Sequence, residues 1–204
     1  MIADKIGLIG SKGNMGKRYS VIMDYLGIKY KSFDIENIET LPNCVDDIES
    51  FIVATPTDDH FKTLMNIKKY NLPILCEKAI TKDTEELSTL LMMDAKLAMV
   101  NQYEFLVHDY PLNRFAESHY NYFKTGSDGL YWDCINIIGL AINPPLLANN
   151  SPVWECMING KILNIADMDM AYISMIEAWK NAPWDDKEYI YNAHKKVLSR
   201  LSND

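Results

Sequence analysis

The chain has 204 residues, of which 48% are hydrophobic and 24% charged, a composition typical of a globular protein of one domain or two small ones. Its formal net charge of −8 argues against nucleic acid as a main partner, because a phosphate backbone is bound by a basic surface. No stretch approaches the roughly 20 apolar residues of a membrane span, and we expect neither a signal peptide nor a membrane partner. The composition therefore predicts a cytoplasmic protein kept in solution by its charge.

The cysteines are widely spaced and form no CxxC pair. They are Cys44, Cys76, Cys134 and Cys156. This spacing favours free thiols in a reducing compartment over a disulfide framework or a zinc site, so we predict no metal centre.

The first predicted element is a strand over residues 5–9 that runs directly into a glycine-rich turn, followed by a helix over residues 17–25. The turn has the spacing Gly-x-x-Gly-x-x-Gly. Strand, glycine turn and helix in this order are typical of the pyrophosphate cradle of a dinucleotide-binding fold. Glycine permits the tight turn and close approach, and the helix N-terminus attracts the phosphate charge. The residues of this glycine loop are Gly10, Ser11, Lys12, Gly13, Asn14, Met15 and Gly16.

Strands and helices continue to alternate through the first half of the chain. We predict strands over residues 29–34, 50–54, 73–77 and 97–101, and helices over residues 57–70 and 84–93. Thr81 or Thr84 is the candidate N-cap of the second of these helices. Alternation with apolar strands predicts an α/β fold with a doubly wound parallel sheet, a Rossmann domain over residues 1–105.

Aromatic residues become frequent after about residue 105, and the pattern of the chain changes. Residues 132–141 are apolar and fit either a helix or a strand. Asn159-Gly160 lies between two apolar runs and predicts a β-hairpin, because this dipeptide suits the turn. Two helices are predicted over residues 167–181 and 186–201. We therefore predict a small α+β domain over residues 106–204, with a role in substrate binding or oligomerisation.

Asp34 ends the second predicted strand. An acidic residue there can accept hydrogen bonds from an adenosine ribose and repels a 2′-phosphate, which favours NAD over NADP. A solvated aspartate at a strand end is the alternative, and Lys12 in the glycine loop would favour a phosphate, so NADP stays open.

Two further motifs follow the third and fourth predicted strands, where loops line the ligand crevice of a parallel sheet. They are Val53-Ala54-Thr55-Pro56-Thr57 with Asp58-Asp59-His60, and Cys76-Glu77-Lys78-Ala79-Ile80-Thr81. A lysine beside a nicotinamide can polarise a carbonyl or share a proton with a hydroxyl while hydride moves.

In combination, the glycine loop and these motifs resemble the Gfo/Idh/MocA oxidoreductase family, the relatives of glucose–fructose oxidoreductase and inositol dehydrogenase. In that family one strand ends in a TP-x-x-x-H motif and a later strand in E-K-P. The resemblance covers roughly residues 3–105. It implies hydride transfer between NAD or NADP and a sugar, cyclitol or similar small polar metabolite, in a homo-oligomer such as a homodimer.

The resemblance also implies a role for each matching residue. The glycine loop would bind the pyrophosphate, and Asp34 would bind the ribose. The path from adenosine to nicotinamide would be lined by Thr55, Pro56, Thr57 and His60. Glu77 and Lys78 would lie beside the nicotinamide, and Asn101 would contact cofactor or substrate. Lys78 would be the catalytic lysine.

Three features depart from the family pattern. Ala79 replaces the proline of E-K-P, and because a non-proline cis bond is costly we expect a reshaped or trans turn. The second domain is shorter than is usual in the family. Asn136 stands where the family has a histidine, and an amide cannot exchange a proton near neutral pH, so Asp133 is the candidate base and Asn136 a candidate substrate contact.

These departures support a second hypothesis of a different class. The chain would then be a catalytically reduced protein that holds NAD(H) or a nucleotide sugar and acts as a sensor or scaffold.

Overall fold

The computed structural model describes residues 5–34, 38–43, 45–106, 118–121, 131–141, 145–148, 155–158 and 160–202. Cys44 and Asn159 lie outside the described residues. The chain divides into two compact units. The first consists of Met1–Val100 and Ile176–Lys187, and the second of Asn101–Met175 and Glu188–Asp204.

The first unit contains a five-stranded parallel sheet. Its strands are β1 (Lys5–Ile9), β2 (Lys29–Phe33), β3 (Ser50–Val53), β4 (Ile74–Cys76) and β5 (Leu97–Met99), in the order β2-β1-β3-β4-β5. The helices α1 (Asn14–Tyr25), α2 (Thr57–Ile67) and α3 (Thr84–Leu91) follow β1, β3 and β4. The predicted α/β fold with a parallel sheet is confirmed. The strand order reverses between β1 and β3, and a crevice at such a point is where parallel sheets bind ligands.

The central strands are buried on both faces, as their apolar sequences predict. Every residue of β3 is buried, and Phe51, Ile52 and Val53 have no exposed surface. A parallel sheet covered on both faces requires such continuous apolar runs, because neither face meets water. The sheet therefore forms a rigid support for the loops at its carboxyl edge.

Helix α3 begins differently from our prediction. Its N-cap is Asp83, whose Oδ1 accepts hydrogen bonds from the N–H groups of Glu85 and Glu86 at 2.8 and 2.9 Å. The assignment of Thr81 or Thr84 was therefore wrong. The Thr81 hydroxyl instead donates to Oε2 of Glu86 and accepts from the backbone N–H of Asp83.

A segment near the C-terminus runs along β5 within the first unit. The N–H of Asp186 donates to the Leu97 carbonyl at 2.9 Å, and the N–H of Leu97 donates to Oδ1 of Asp185 at 3.0 Å. The pKa of Asp186 is raised to about 6, chiefly by burial and also by the neighbouring Asp185 carboxylate, while a hydrogen bond from Trp184 lowers it. The edge of β5 is therefore covered by a segment that contains a carboxyl group in a poorly solvated place.

The second unit contains a mixed four-stranded sheet and helices. Strands β6 (Ser118–Asn121), β7 (Leu146–Ala148), β8 (Glu155–Ile158) and β9 (Lys161–Leu163) pair in the order β7-β6-β8-β9. The antiparallel pairing of β8 with β9 confirms the predicted hairpin, and Gly160 in its turn has φ +79°. Among the described residues, further α-helices are α4 (Ile135–Leu140), α5 (Ile165–Asn181) and α6 (Lys187–Leu201). The apolar stretch 132–141 thus contains a helix, and among the described residues no helix is long and apolar enough to cross a membrane.

Candidate cofactor site

Two glycines of the glycine loop are required by the packing of the loop itself. Gly10 has φ +85°, and a Cβ built on it would lie 2.6 Å from the backbone of Ala54 and Thr55. A Cβ on Gly16 would lie 2.1 Å from the carbonyl oxygen of Gly10. Both contacts are with backbone atoms, which cannot move aside cheaply. The two residues therefore close the turn between β1 and α1.

Gly13 differs from these two. A Cβ on Gly13 would lie 3.4 Å from the nearest protein atom, the Gly10 carbonyl oxygen, which is an ordinary contact. Because the chain itself leaves room for a side chain there, a requirement for glycine at this position would come from a ligand that approaches the backbone. A pyrophosphate bound at the glycine loop, as the sequence predicts, requires such open space beside the Gly13 backbone.

Helix α1 begins at Asn14, three residues earlier than predicted, and Gly13 is its N-cap. Gly13 has no side chain to bond the first-turn N–H groups, which lack partners within any helix. Such a helix start combines available N–H donors with the positive end of the helix dipole, and it is a favourable place for a phosphate group.

Asp34 is bonded to the glycine loop. The N–H groups of Gly10 and Ser11 donate to the Phe33 carbonyl at 2.9 and 3.3 Å, and the N–H of Lys12 donates to Oδ2 of Asp34 at 2.8 Å. The end of β2 and the loop after β1 are therefore fixed to each other. As a result, the structure brings the predicted ribose ligand beside the predicted pyrophosphate loop.

A cavity of about 720 Å³ lies at this edge of the sheet, within the range of sites for small molecules and cofactors. Gly10, Lys12, Gly13, Asp34, Thr55 and Pro56, all predicted site residues, contribute to its wall. Sequence reasoning missed the residues that complete it, among them Leu41 and Pro42 after β2 and Lys62 and Asn66 on α2. The i, i+4 spacing of Lys62 and Asn66 was a usable signal, because it places both on one face of a helix that starts at the predicted loop.

The Thr55 hydroxyl is a buried polar group at the cavity wall. Its Oγ1 is buried and has no hydrogen-bond partner among the residues that the structure describes, and Thr55 lines the cavity. A buried hydroxyl without a partner is costly, so such atoms are commonly satisfied by a bound molecule or water. Thr55, Asp34 and the loop residues Gly10, Lys12 and Gly13 therefore border the same cavity.

His60 has no exposed surface and joins the two loops that follow β3 and β4. Its Nδ1 lies 2.7 Å from the Ala79 carbonyl oxygen, and its Nε2 lies 2.8 Å from the Thr55 carbonyl oxygen. Both ring nitrogens are thus engaged by the protein backbone. His60, which the family resemblance places along the path of the cofactor, thus joins the loops after β3 and β4.

The peptide bond between Lys78 and Ala79 is cis. Our expectation of a trans or reshaped turn was therefore wrong. Ala79 is buried, and its carbonyl oxygen lies 2.7 Å from Nδ1 of His60.

Glu77 is 7% exposed, and both oxygens of its carboxylate accept hydrogen bonds. The Tyr19 hydroxyl on α1 donates to Oε1, and the backbone N–H of Lys78 donates to Oε2 at 3.1 Å. Lys78 itself is partly exposed at the end of β4. The candidate catalytic lysine therefore follows directly after an anchored carboxylate.

Three predicted site residues belong to the second unit, whereas Thr57 begins α2 in the first. Asn136 is fully buried in α4, and its backbone carbonyl accepts a hydrogen bond from the Tyr189 hydroxyl at 3.3 Å. Asp133, just before α4, is partly exposed. Asn101 is 2% exposed, and neither polar atom of its side chain has a partner among the described residues.

The described cysteines are buried thiols, and burial lowers their reactivity. It raises the pKa of Cys76 well above the ordinary value of 9.0, the neighbouring Glu77 raises it further, and burial raises the pKa of Cys156 to about 12. A thiol that stays protonated is a poor nucleophile. Within the described residues, no group of His, Cys, Asp and Glu side chains is arranged to hold a metal ion.

Solved structures of several dehydrogenases superpose on this chain. The WlbA (WbpB) dehydrogenase from Thermus thermophilus, in complex with NAD and UDP-GlcNAcA, matches with a TM-score of 0.68 and 12% identity over 97% of this chain and 94% of that one. UDP-N-acetylglucosamine 3-dehydrogenase GnnA from Acidithiobacillus ferrooxidans matches with a TM-score of 0.68 and 14% identity over 98% of this chain and 97% of that one. Apo scyllo-inositol dehydrogenase from Lactobacillus casei matches with a TM-score of 0.65 and 14% identity, over 100% of this chain and 98% of that one.

The chain has the fold of these dehydrogenases. They support the resemblance to the Gfo/Idh/MocA family at the level of the fold only, because the sequence identities are low. No protein-family model and no curated protein sequence matches the chain.

Proposed function

We propose that this chain is an NAD-dependent oxidoreductase that transfers hydride between nicotinamide and a CH–OH carbon of a sugar, cyclitol or similar small polar metabolite. One observation carries the proposal. At one edge of the sheet the glycine loop, Asp34 and Thr55 border a single cavity, and Lys78 follows the next strand at that edge. The shared fold of dehydrogenases, one of them in complex with NAD, supports the same reading.

The glycine loop and Asp34 would bind the adenosine half of the cofactor. The first-turn N–H groups of α1 would receive the pyrophosphate, and the Asp34 carboxylate would accept hydrogen bonds from the ribose hydroxyls. A carboxylate at this place repels a 2′-phosphate, so we propose NAD as the preferred cofactor. The cavity wall also contains Lys12, Lys62 and Lys69, which would favour NADP, and a titration with both cofactors separates the two cases.

A bound nicotinamide would supply or accept the hydride. Lys78 would hold or move the proton at the substrate oxygen, as a general acid or base. Asn136 can orient a substrate hydroxyl by hydrogen bonding but cannot exchange a proton, so proton transfer falls to Lys78, with Asp133 as a second candidate. Asn101 would contact the cofactor or substrate through its buried amide.

The test is a titration of the full chain with NAD, NADH, NADP and NADPH, followed by a dehydrogenase screen over sugars, cyclitols and nucleotide sugars. We expect saturable binding with NAD or NADH preferred, and turnover that Lys78→Met abolishes without loss of cofactor binding. Lys82→Met, at a nearby exposed lysine, is the control for a lost positive charge. The proposal fails if none of the cofactors binds.

A second candidate function follows from Asn136. Because this residue stands where the related enzymes have a proton-exchanging histidine, the chain could hold NAD(H) or a nucleotide sugar as a sensor or scaffold. Cofactor binding without hydride transfer to any substrate of the screen, and without effect of Lys78→Met on any measured property, would favour this function over the enzyme.

A further inference from the structure

We propose that Tyr19 is a positioning residue that fixes the turn carrying Lys78, acting through the Glu77 carboxylate. The inference rests on the proposed function only in that it gives Lys78 a catalytic role. Tyr19 does not belong to either motif after the strands or to the glycine loop.

The contact that carries this inference lies inside the first unit. The hydroxyl of Tyr19 on α1 donates to Oε1 of Glu77, which follows β4. The other carboxylate oxygen, Oε2, accepts the backbone N–H of Lys78 at 3.1 Å. Glu77 thus joins a side chain of α1 to the backbone of the lysine, and each of its oxygens is used for one of the two connections.

Both side chains of this connection are buried, so each depends on the other for its hydrogen bond. Tyr19 has no exposed surface, and Glu77 is 7% exposed. A carboxylate removed from water needs donors on both oxygens, and hydrogen bonds to a charged group are stronger than neutral ones. Water is a poor substitute for the phenol in such a place. Loss of the hydroxyl therefore leaves Oε1 without its donor and frees the carboxylate to rotate.

The same helix also begins at the candidate phosphate cradle. Gly16 and Tyr19 are one helical turn apart on α1, so the start of this helix is linked to Glu77 through a single buried hydrogen bond. On the other side of Lys78, the Ala79 carbonyl oxygen is held by His60 at 2.7 Å. The backbone on either side of Lys78 is therefore held, by Glu77 before it and by Ala79 after it, and the Glu77 side connects to α1.

The experiment measures the reactivity of Lys78 directly, so it requires no knowledge of the substrate. The full chain is labelled briefly with acetic anhydride, and mass spectrometry gives the labelling rate of Lys78 relative to Lys82, a nearby exposed lysine, with and without NADH. The variants are Tyr19→Phe, Glu77→Met and their combination. The matched control is Ser20→Ala, which removes the hydroxyl of the neighbouring residue of α1, a group that donates to the Gly16 carbonyl of the same helix at 3.1 Å.

We expect Tyr19→Phe to raise the relative labelling of Lys78 about fivefold, the change in population that one hydrogen bond of typical net strength supports. Ser20→Ala should keep the wild-type ratio, and Tyr19→Phe should add nothing in the Glu77→Met background, because both changes break the same connection. Once turnover is measurable, Tyr19→Phe should lower kcat more than it raises KM. A purely structural role would change the labelling of Lys78 and Lys82 alike.

Failure of this inference is distinguishable from failure of the proposed function. If NADH protects Lys78 in the wild type, and Tyr19→Phe has the wild-type ratio and protection, Tyr19 does not position the lysine although the cofactor site stands. If NADH neither binds nor protects the wild type while Tyr19→Phe still raises the Lys78 ratio, the connection through Glu77 is real and the proposed function is wrong.

Discussion

The backbone N–H of Lys12 donates a 2.8 Å hydrogen bond to Oδ2 of Asp34. This bond joins the glycine loop after β1 to the end of β2, so the protein itself holds the candidate phosphate site and the candidate ribose ligand together. Pre-organisation of this kind reduces the ordering cost of binding. It also means that a change at Asp34 affects both the ribose contact and the loop.

Asp34→Asn tests the cofactor preference. The amide keeps the size of the side chain and can still accept the Lys12 N–H, but it no longer repels a 2′-phosphate. We expect the affinity ratio of NADH to NADPH to fall by roughly tenfold or more, about 1.4 kcal/mol of differential binding. Fluorescence titration with both cofactors measures this ratio, and an unchanged ratio would show that Asp34 does not contact the ribose.

The three loop glycines should respond differently to alanine. Gly10→Ala and Gly16→Ala place a Cβ against backbone atoms at 2.6 and 2.1 Å, so we expect each to lower the free energy of unfolding by roughly 2 kcal/mol or more. Gly13→Ala meets only an ordinary contact and should change the free energy of unfolding by less than about 0.5 kcal/mol.

Gly13→Ala should nevertheless weaken NADH binding by about tenfold or more, since the new methyl group occupies the approach of the pyrophosphate. Urea unfolding and NADH titration of the same preparations separate the two effects. A Gly13→Ala protein that is stable and binds NADH as the wild type does would place the pyrophosphate elsewhere.

His60→Leu should destabilise the first unit. The substitution keeps an apolar side chain of similar bulk but leaves the Thr55 and Ala79 carbonyl oxygens without the ring that both of them contact. We expect the free energy of unfolding to fall by about 2–4 kcal/mol, because groups that become buried without partners cost about 1–3 kcal/mol each. The check is a lower urea midpoint with an unchanged m-value, and a wild-type midpoint would contradict the role given to His60.

Asp186 should make stability depend on pH. Its pKa rises from the ordinary 3.8 to about 6 on folding, so the native state favours the protonated carboxyl. The carboxyl therefore costs nothing below about pH 4, and its cost grows as the pH rises and is complete above about pH 6.

Asp186→Asn should remove that cost. We expect the variant to gain about 1–3 kcal/mol of unfolding free energy at pH 7.5, which corresponds to about two pKa units reduced for partial exposure. At pH 4 the gain should vanish. Urea unfolding at the two pH values is the measurement, and a gain of equal size at both would mean that desolvation of this carboxyl is not the cause.

Much of the fold of the first unit could be predicted from the sequence, because the local pattern of its residues agrees with their tertiary environment. The apolar run 50–54 forms a strand because a sheet covered on both faces admits little else, and the glycines at 10 and 16 mark a turn that only glycine fits. Asp34 could also be recognised as a candidate ribose ligand, because it lies at the end of the second predicted strand. These features depend on a few neighbouring residues, which is why a single sequence can reveal them.

The features that were missed depend on residues far apart in the chain. The strand Leu146–Ala148 has three residues and is defined by its partner strand rather than by a pattern of its own. The cis bond at Lys78-Ala79 accompanies contacts with His60, 19 residues away, and the Glu77 carboxylate is bonded to Tyr19, 58 residues away. No local propensity contains such information, and only the assembled sheet brings these groups together.

The most direct test of the central claim is the titration of the full chain with NADH, repeated with Gly13→Ala. The account predicts saturable binding in the micromolar range that the alanine variant loses while its unfolding midpoint stays at the wild-type value. If NADH and the other nicotinamide cofactors leave the protein unchanged, or if Gly13→Ala binds as the wild type does, the glycine loop is a structural turn and the proposed oxidoreductase function is wrong.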